Sequence, residues 1–257
     1  MLKSIFWSVI LMSLFSFGCQ KQQEVVVKPF EVSPSIKSDA GLPQAQLAMF
    51  ENAGGLQNWL DINKLDARPV VTFFDDGLHY ITEQRHEIYP WANAINISAD
   101  EPKGPVSWQL VRSLPTETFS WDADGTMPST IPLKVFAEAV LELTTSAVRI
   151  ADPNVSLVQQ GEPRRIEGRL YTEYQRTPEV TAKQANQWLP MKWYQNAETG
   201  LFDMVIFTEA VSNGSITAKA FGLRKVENTA VFVPEKIEFY RTDPRGVILE
   251  LLATVDY

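Results

Sequence analysis

Val247-Ile248-Leu249-Glu250-Leu251-Leu252-Ala253-Thr254-Val255-Asp256-Tyr257 is the stretch that decides the fold. Val247, Leu249, Leu251, Ala253, Val255 and Tyr257 fall on every second position and form one apolar face. Glu250, Thr254 and Asp256 stand between them. A period of two is that of a β-strand with one side turned toward a core. Working backward, Val231–Arg241, Ser215–Leu223, Leu201–Thr208, Trp188–Gln195 and Arg165–Gln175 read as further strands, with Thr199-Gly200 and Asn213-Gly214 in the turns. Such a succession of hairpins builds one antiparallel sheet.

The front half carries the same texture behind a helical opening. A stretch from Pro43 or Gln44 to about Asn52 reads as a helix with Leu47 and Phe50 on its buried stripe, and Gly54-Gly55 ends it. A short turn follows, with Leu56, Trp59, Leu60 and Ile62 on its apolar side. Arg68–Phe74 and Leu78–Tyr89 are strands joined by Asp75-Asp76-Gly77, a strong hairpin signal. Ala92–Ser98 and Val106–Val111 continue the series, and 112–130 reads as a long loop. Thr130 opens the clearest helix, with Pro132 in its first turn and Phe136, Ala139/Val140, Leu143 and Ala147 at helical spacing. The fold class expected is α+β: a curved antiparallel sheet, an incomplete β-barrel, with helices covering its concave face.

The first residues read as a targeting segment. Lys3 precedes a 13-residue apolar run, Ile5 to Phe17, and Gly18-Cys19 closes it. A positive start, a short apolar core and a small residue before the cut describe a secretory signal. The run is too short for a bilayer span, which takes about 20 helical residues. Cys19 is the sole cysteine of the chain, so it has no disulfide partner within it. Its place after Gly18 resembles a bacterial lipobox, which implies acylation of Cys19 and a membrane anchor of two or three acyl chains. Gln20 rather than Asp after the cysteine favours, by the same resemblance, the outer membrane, facing the periplasm. The expected organisation is a signal peptide over 1–18, a lipid-anchored flexible linker over 19–43 with Pro29, Pro34 and Pro43, and one domain over 44–257.

The chemistry that composition excludes is broad. Net charge is −8 with no basic cluster, which argues against nucleic acid as a partner. His79 and His86 are the only histidines, and an odd offset on one strand puts them on opposite faces. That arrangement gives no shared metal site and no histidine pair. No GxSxG, HExxH, P-loop or GxGxxG motif is present. Asp75-Asp76-Gly77 reads as a turn, and Asp122-x-Asp124-Gly125 lacks the rest of a calcium loop. The expectation is a non-enzyme without a cofactor.

Several short stretches, taken in order, resemble one family. They are Ala53-Gly54-Gly55-Leu56-Gln57-Asn58-Trp59-Leu60-Asp61-Ile62, then Trp193-Tyr194 and Glu198-Thr199-Gly200-Leu201-Phe202. Val233-Pro234-Glu235-Lys236-Ile237-Glu238-Phe239 and the closing Val255-Asp256-Tyr257 complete the set. This pattern is similar to the LolA/LolB-like lipoprotein-carrier superfamily. The resemblance implies a half-barrel lidded by helices, with an apolar interior that holds lipid or lipoprotein acyl chains. It does not single out an arginine as counterpart of the carrier's barrel-facing arginine.

For an acyl-chain cavity the candidates are Phe136, Val140 and Leu143 on the lid helix. Leu249, Leu251 and Val255 on the last strand face them. A packed core makes the same demand of these positions, at about 25 cal/mol per Å² buried. Two functions therefore lead at this point: a lipoprotein binding an apolar ligand in its interior, and a packed lipoprotein that binds an envelope protein partner; a hydrolase is the least supported third.

Overall fold

The structure is a computed structural model that describes residues 42, 44–113, 116–123, 129–150, 155–178, 191–211, 214–243 and 247–257. The signal segment, Cys19 and nearly all of the linker lie outside the described residues. Helices α1 (Gln44–Asn52) and α2 (Leu56–Leu60) come first. Strands β1 (Leu65–Ala67), β2 (Val70–Asp75), β3 (Leu78–Tyr89), β4 (Ala94–Glu101), β5 (Gly104–Ser113) and β6 (Thr116–Ala123) follow. Then come α3 (Leu133–Thr144) and α4 (Ser146–Ile150). The rest is strand: β7 (Val155–Ile166), β8 (Arg169–Pro178), β9 (Met191–Asn196), β10 (Phe202–Val211), β11 (Gly214–Phe221), β12 (Arg224–Lys225), β13 (Phe232–Val233), β14 (Lys236–Thr242) and β15 (Ile248–Asp256).

The large sheet runs β6-β5-β4-β3-β2-β15-β14-β11-β10-β9-β8-β7, every neighbour antiparallel. β15, the last strand in sequence, pairs β2, one of the first, through Ala253↔Phe73 and Val255↔Val71. That pairing fuses the two runs of hairpins into one sheet. Among the described residues no ladder joins β6 to β7, so the barrel stays open. β1 continues the line of β2 along β3, interrupted where Pro69 has no N–H to donate. The Pro69 carbonyl still accepts from the Gln84 amide at 3.0 Å.

α3 fills the concavity. Its sequence LKVFAEAVLELT is rich in Ala and Leu and free of Gly and Pro, as a stable helix requires. Pro132 stands just before it with φ −54, and Thr145 ends it, its hydroxyl donating to the Leu141 carbonyl at 2.6 Å. Every residue from Val135 to Thr144 is buried. One core cluster joins α3 to α1, α2 and strands from both halves of the sheet. α1 and α2 close the end where α3 finishes. Trp59 Nε1 donates to the Ala53 carbonyl at 3.0 Å, and Trp91 Nε1 to the Trp59 carbonyl at 2.8 Å. Between the helices Gly54 has φ +106, and a Cβ there would stand 2.0 Å from the Ala230 carbonyl oxygen.

Three expectations are corrected. The long loop over 112–130 contains an edge strand, β6, paired to β5 from Ser113↔Thr116 to Val106↔Ala123. The single strand expected over 165–175 is a hairpin, β7–β8, whose tip at Glu167 has φ +50. Ile166 and Tyr171 of this hairpin pack with Tyr194, Met204 and Ile206 in a second small core, separate from the main one. The strict alternation of the last strand breaks as well. Register shifts against β14 fall between Phe239 and Tyr240 and again between Arg241 and Thr242. A bulge inserts an extra residue and reverses the inward set beyond it. Ala253 and Val255 face the core, but Leu249 is 57% exposed. Leu251 pairs with Tyr240 and is only half-buried.

Candidate functional site

The site is the concave face and the helix seated in it. Phe136 occupies its centre and is fully buried. Its ring stacks on Phe239 of β14 at 5.1 Å between centroids and meets Phe73 of β2 at 5.6 Å. Trp108 of β5 and His86 of β3 approach it edgewise, each at 6.3 Å. Val140, Leu143 and Val255 are buried in the same cluster. The structure thus brings together four of the six expected interior residues. Leu249 and Leu251 are not among them, because the bulges in β15 turn that end of the strand outward.

An ion network interrupts this apolar interior. Arg112, inward-facing on β5, is fully buried and pairs with Glu138 and Glu142, one helical turn apart on α3. Its Nε donates to Glu117 of β6 at 3.1 Å, and Lys134 at the start of α3 pairs with Glu117 from the other side. Both α3 carboxylates have no exposed side-chain surface, and Glu117 has 2%. Sequence reasoning misses this group. Lys134, Glu138 and Glu142 lie on one i, i+4 line, the pattern of a solvated helix face. They are buried because β5 and β6 lie over that line, and β6 reads as loop in the sequence.

A second polar line runs through the interior beside Phe136. His86 Nε2 is 3.0 Å from Gln84 Oε1, and His86 Nδ1 is 3.2 Å from the Tyr257 hydroxyl. The Thr144 side chain of α3 faces that hydroxyl in turn. A neutral imidazole satisfies both ends, with Nε2–H donating and Nδ1 accepting. His79, by contrast, is exposed on the opposite face of β3, as the odd offset predicts. Burial pushes the pKa of His86 down to about 3. The folded protein therefore refuses a proton that the unfolded chain accepts below about 6.5. Stability contributed by the neutral ring is complete above that value and is lost as pH falls toward 3. Unfolding titrated in denaturant should show a loss of about 2–3 kcal/mol from this group between pH 7 and pH 4.5. His86→Gln, which keeps a polar link but does not titrate, should flatten that slope. An unchanged slope in the variant would mean that another group carries the acid sensitivity.

Where α3 ends, a cavity of about 300 Å³ opens. Leu143, Trp59 and Phe202 wall one part of it, and Asn196, Asp203 and Thr199 another. Asp203 Oδ2 accepts from Asn196 Nδ2 at 2.8 Å, and burial holds this carboxyl above the ordinary carboxylate range.

An open antiparallel sheet with a helix laid in its concavity is the α+β half-barrel that the sequence leads one to expect. No family model and no curated protein matches the chain. Among solved structures, the chain is similar to a LolA superfamily protein from Nitrosomonas europaea, at 11% identity and TM-score 0.46 over 84% of this chain and 91% of that one. It is also similar to a DUF1329 family protein from Desulfovibrio piger, at 10% identity and TM-score 0.41 over 81% and 89%. A putative outer membrane lipoprotein-sorting protein domain from Vibrio parahaemolyticus gives 7% identity and TM-score 0.41 over 74% and 81%. The fold itself is established by the strand order and the position of α3, independently of these likenesses.

Proposed function

We propose that this chain is a lipid-anchored protein of the bacterial envelope that holds an acyl chain or similar apolar ligand in its half-barrel, with α3 occupying the interior when no ligand is bound. The observation that carries the proposal is how α3 is seated. An open sheet offers an apolar concavity, yet the helix filling it is fixed in part by buried ion pairs. Buried pairs are a poor source of net stability, because desolvation offsets most of their attraction, but they define one docked position closely. A seat of that kind suits a helix that leaves and returns. The signal segment and Cys19 supply the anchor, and the linker to residue 43 supplies reach. Among the described residues no ladder joins β6 to β7, and Trp121 on β6 is 55% exposed, so this edge offers an entry to the interior.

The competing reading is a packed lipoprotein that binds an envelope partner. It is favoured by the filled interior and by exposed apolar residues at the hairpin ends, Leu78 at 75% and Val247 at 52%. The mature chain with Cys19 replaced by Ser separates the two. Native mass spectrometry with lipid extraction should find co-purified lipid or fatty acid, and a fluorescent fatty acid should bind saturably. Leu143→Asp in a protein that still folds should abolish both. A protein that is ligand-free and takes up no probe would overturn the acyl-binding proposal in favour of the packed reading.

A further inference from the structure

The ion network that seats α3 also says what can replace the helix. Arg112 and Glu117 stand directly opposite each other on β5 and β6, and Arg112 Nε donates to Glu117 at 3.1 Å. That bond lies wholly within the sheet. The two terminal nitrogens are used otherwise, Nη1 pairing with Glu142 and Nη2 with Glu138, both on α3. The guanidinium is thus divided between wall and helix. If α3 leaves the concavity, it takes Glu138, Glu142 and Lys134 with it. The arginine stays on the wall, held through Nε, with its two Nη donors turned to where the helix lay.

A wholly apolar body cannot cover such a group without cost. The guanidinium would lose two acid partners and gain none, and a buried charge deprived of its partners is strongly unfavourable. Its N–H groups form a planar fork that matches a carboxylate or a phosphate through two parallel bonds. The wall beside it supplies the rest of a site. Inward-facing residues alternate along a strand, and on β5 those preceding Arg112 are Leu110, Trp108 and Val106, all buried. They pair with Ile95, Ile97 and Ala99 of β4, which are buried too. From Arg112 to Val106 this apolar track runs about 20 Å, at about 3.3 Å per residue. α3 lies over it in the closed state, where the rings of Phe136 and Trp108 meet at 6.3 Å. An acid-binding fork with an apolar track leading away from it has the shape of an anionic amphiphile.

We propose that the ligand replacing α3 is an anionic amphiphile, whose acid group takes the place of Glu138 and Glu142 on the Arg112 fork and whose chain lies along Leu110, Trp108 and Val106. This assignment rests on α3 giving way to an acyl chain, as proposed above, and adds the charge of the head group. A neutral acyl ester fills the track equally well but offers the fork only an uncharged carbonyl, and the charge-assisted bond is the stronger one. Helix and ligand therefore compete for one arginine, and removing the helix's carboxylates favours the ligand.

The test is isothermal titration of the mature chain, carrying Cys19→Ser, with dodecanoate, dodecyl phosphate, methyl dodecanoate and dodecylamine. The two anions should bind saturably, at least about tenfold more tightly than the ester or the amine. The tighter of the two names the acid group as carboxylate or phosphate, and either order supports the fork. Glu138→Gln with Glu142→Gln removes the helix's charges at nearly constant shape. That pair should tighten the anions by about tenfold and the ester by less. Arg112→Met added to the pair removes the fork without leaving the α3 carboxylates behind. In that variant, with thermal unfolding showing it folded, the anions should fall to the affinity of the ester. Equal affinity for anions and ester in the parent, an anion preference that survives the loss of Arg112, or a Gln pair that tightens the ester as much as the anions would overturn the assignment and leave acyl binding standing. Saturable binding of none of the four would overturn acyl binding itself, and this site with it.

Discussion

Arg112→Met should destabilise the protein by about 3–5 kcal/mol, lowering Tm on the order of 10 °C for a chain of this size. The reason lies in what remains after the guanidinium is gone. Glu138 and Glu142 stay on α3 with no exposed side-chain surface and have lost the guanidinium they pair with. Glu117 retains Lys134, which is 26% exposed and so partly screened by water. The cost is thus chiefly that of buried carboxylates deprived of the guanidinium between them rather than the loss of an attraction. A triple variant separates these two contributions. Arg112→Met combined with Glu138→Leu and Glu142→Leu removes the charges together, and should recover most of the loss or exceed the parent in stability, because apolar side chains of similar volume pack without desolvation cost. Denaturant unfolding of the parent, the single variant and the triple variant measures both steps. A single variant within about 1 kcal/mol of the parent would show that the network is hydrated and that α3 is not held by it.

The triple variant also bears on function. If the ion pairs make the seat of α3 conditional, an apolar replacement fixes the helix more firmly. Acyl-chain uptake should then fall although the protein is more stable. A packed core with no opening would show the gain in stability and no binding to lose.

The parts of the fold that are legible in the sequence are those where local and tertiary preferences agree. Asp75-Asp76-Gly77 marks its hairpin, and Asp76 and Gly77 both adopt positive φ. The apolar spacing of Phe136, Val140 and Leu143 places them inside because α3 is surrounded by sheet. What stays hidden requires knowledge of neighbours. β6 alternates Glu117, Phe119 and Trp121 with Thr118 and Ser120, a strand period, but the prolines and polar residues around it give the signal of a loop. Glu138 and Glu142 carry the mark of a solvent face, and only the strands across them reverse it. Leu249 and Leu251 fit an inward face until two bulges change the count, and a bulge leaves no residue type that announces it. Of the candidates that lie inside, Phe136, Val140 and Leu143 sit on α3, and Val255 lies in the part of β15 that the bulges leave regular, paired with Ile237 and Val71.

Phe136→Ala should cost about 3–5 kcal/mol, while Leu249→Ala should stay within about 0.5 kcal/mol of the parent. The two residues have equal standing as apolar positions in the sequence. They differ because Phe136 contacts rings from β2, β3, β5 and β14 at once, whereas Leu249 lies 57% exposed beyond the bulges. Losing the Phe136 ring opens a void among side chains that belong to both runs of hairpins, and a rigid sheet collapses into it only in part. Comparable losses at the two positions would show that β15 keeps a regular alternation. The same variant discriminates between the functions. A binding site populated only when α3 leaves has an apparent affinity reduced by the fraction of open protein. Phe136→Ala weakens the closed state, so under conditions where the protein remains folded, fatty-acid binding should tighten by several-fold. Destabilisation with no change in uptake would mean that the ring is core and nothing more, and that α3 does not give way to a ligand.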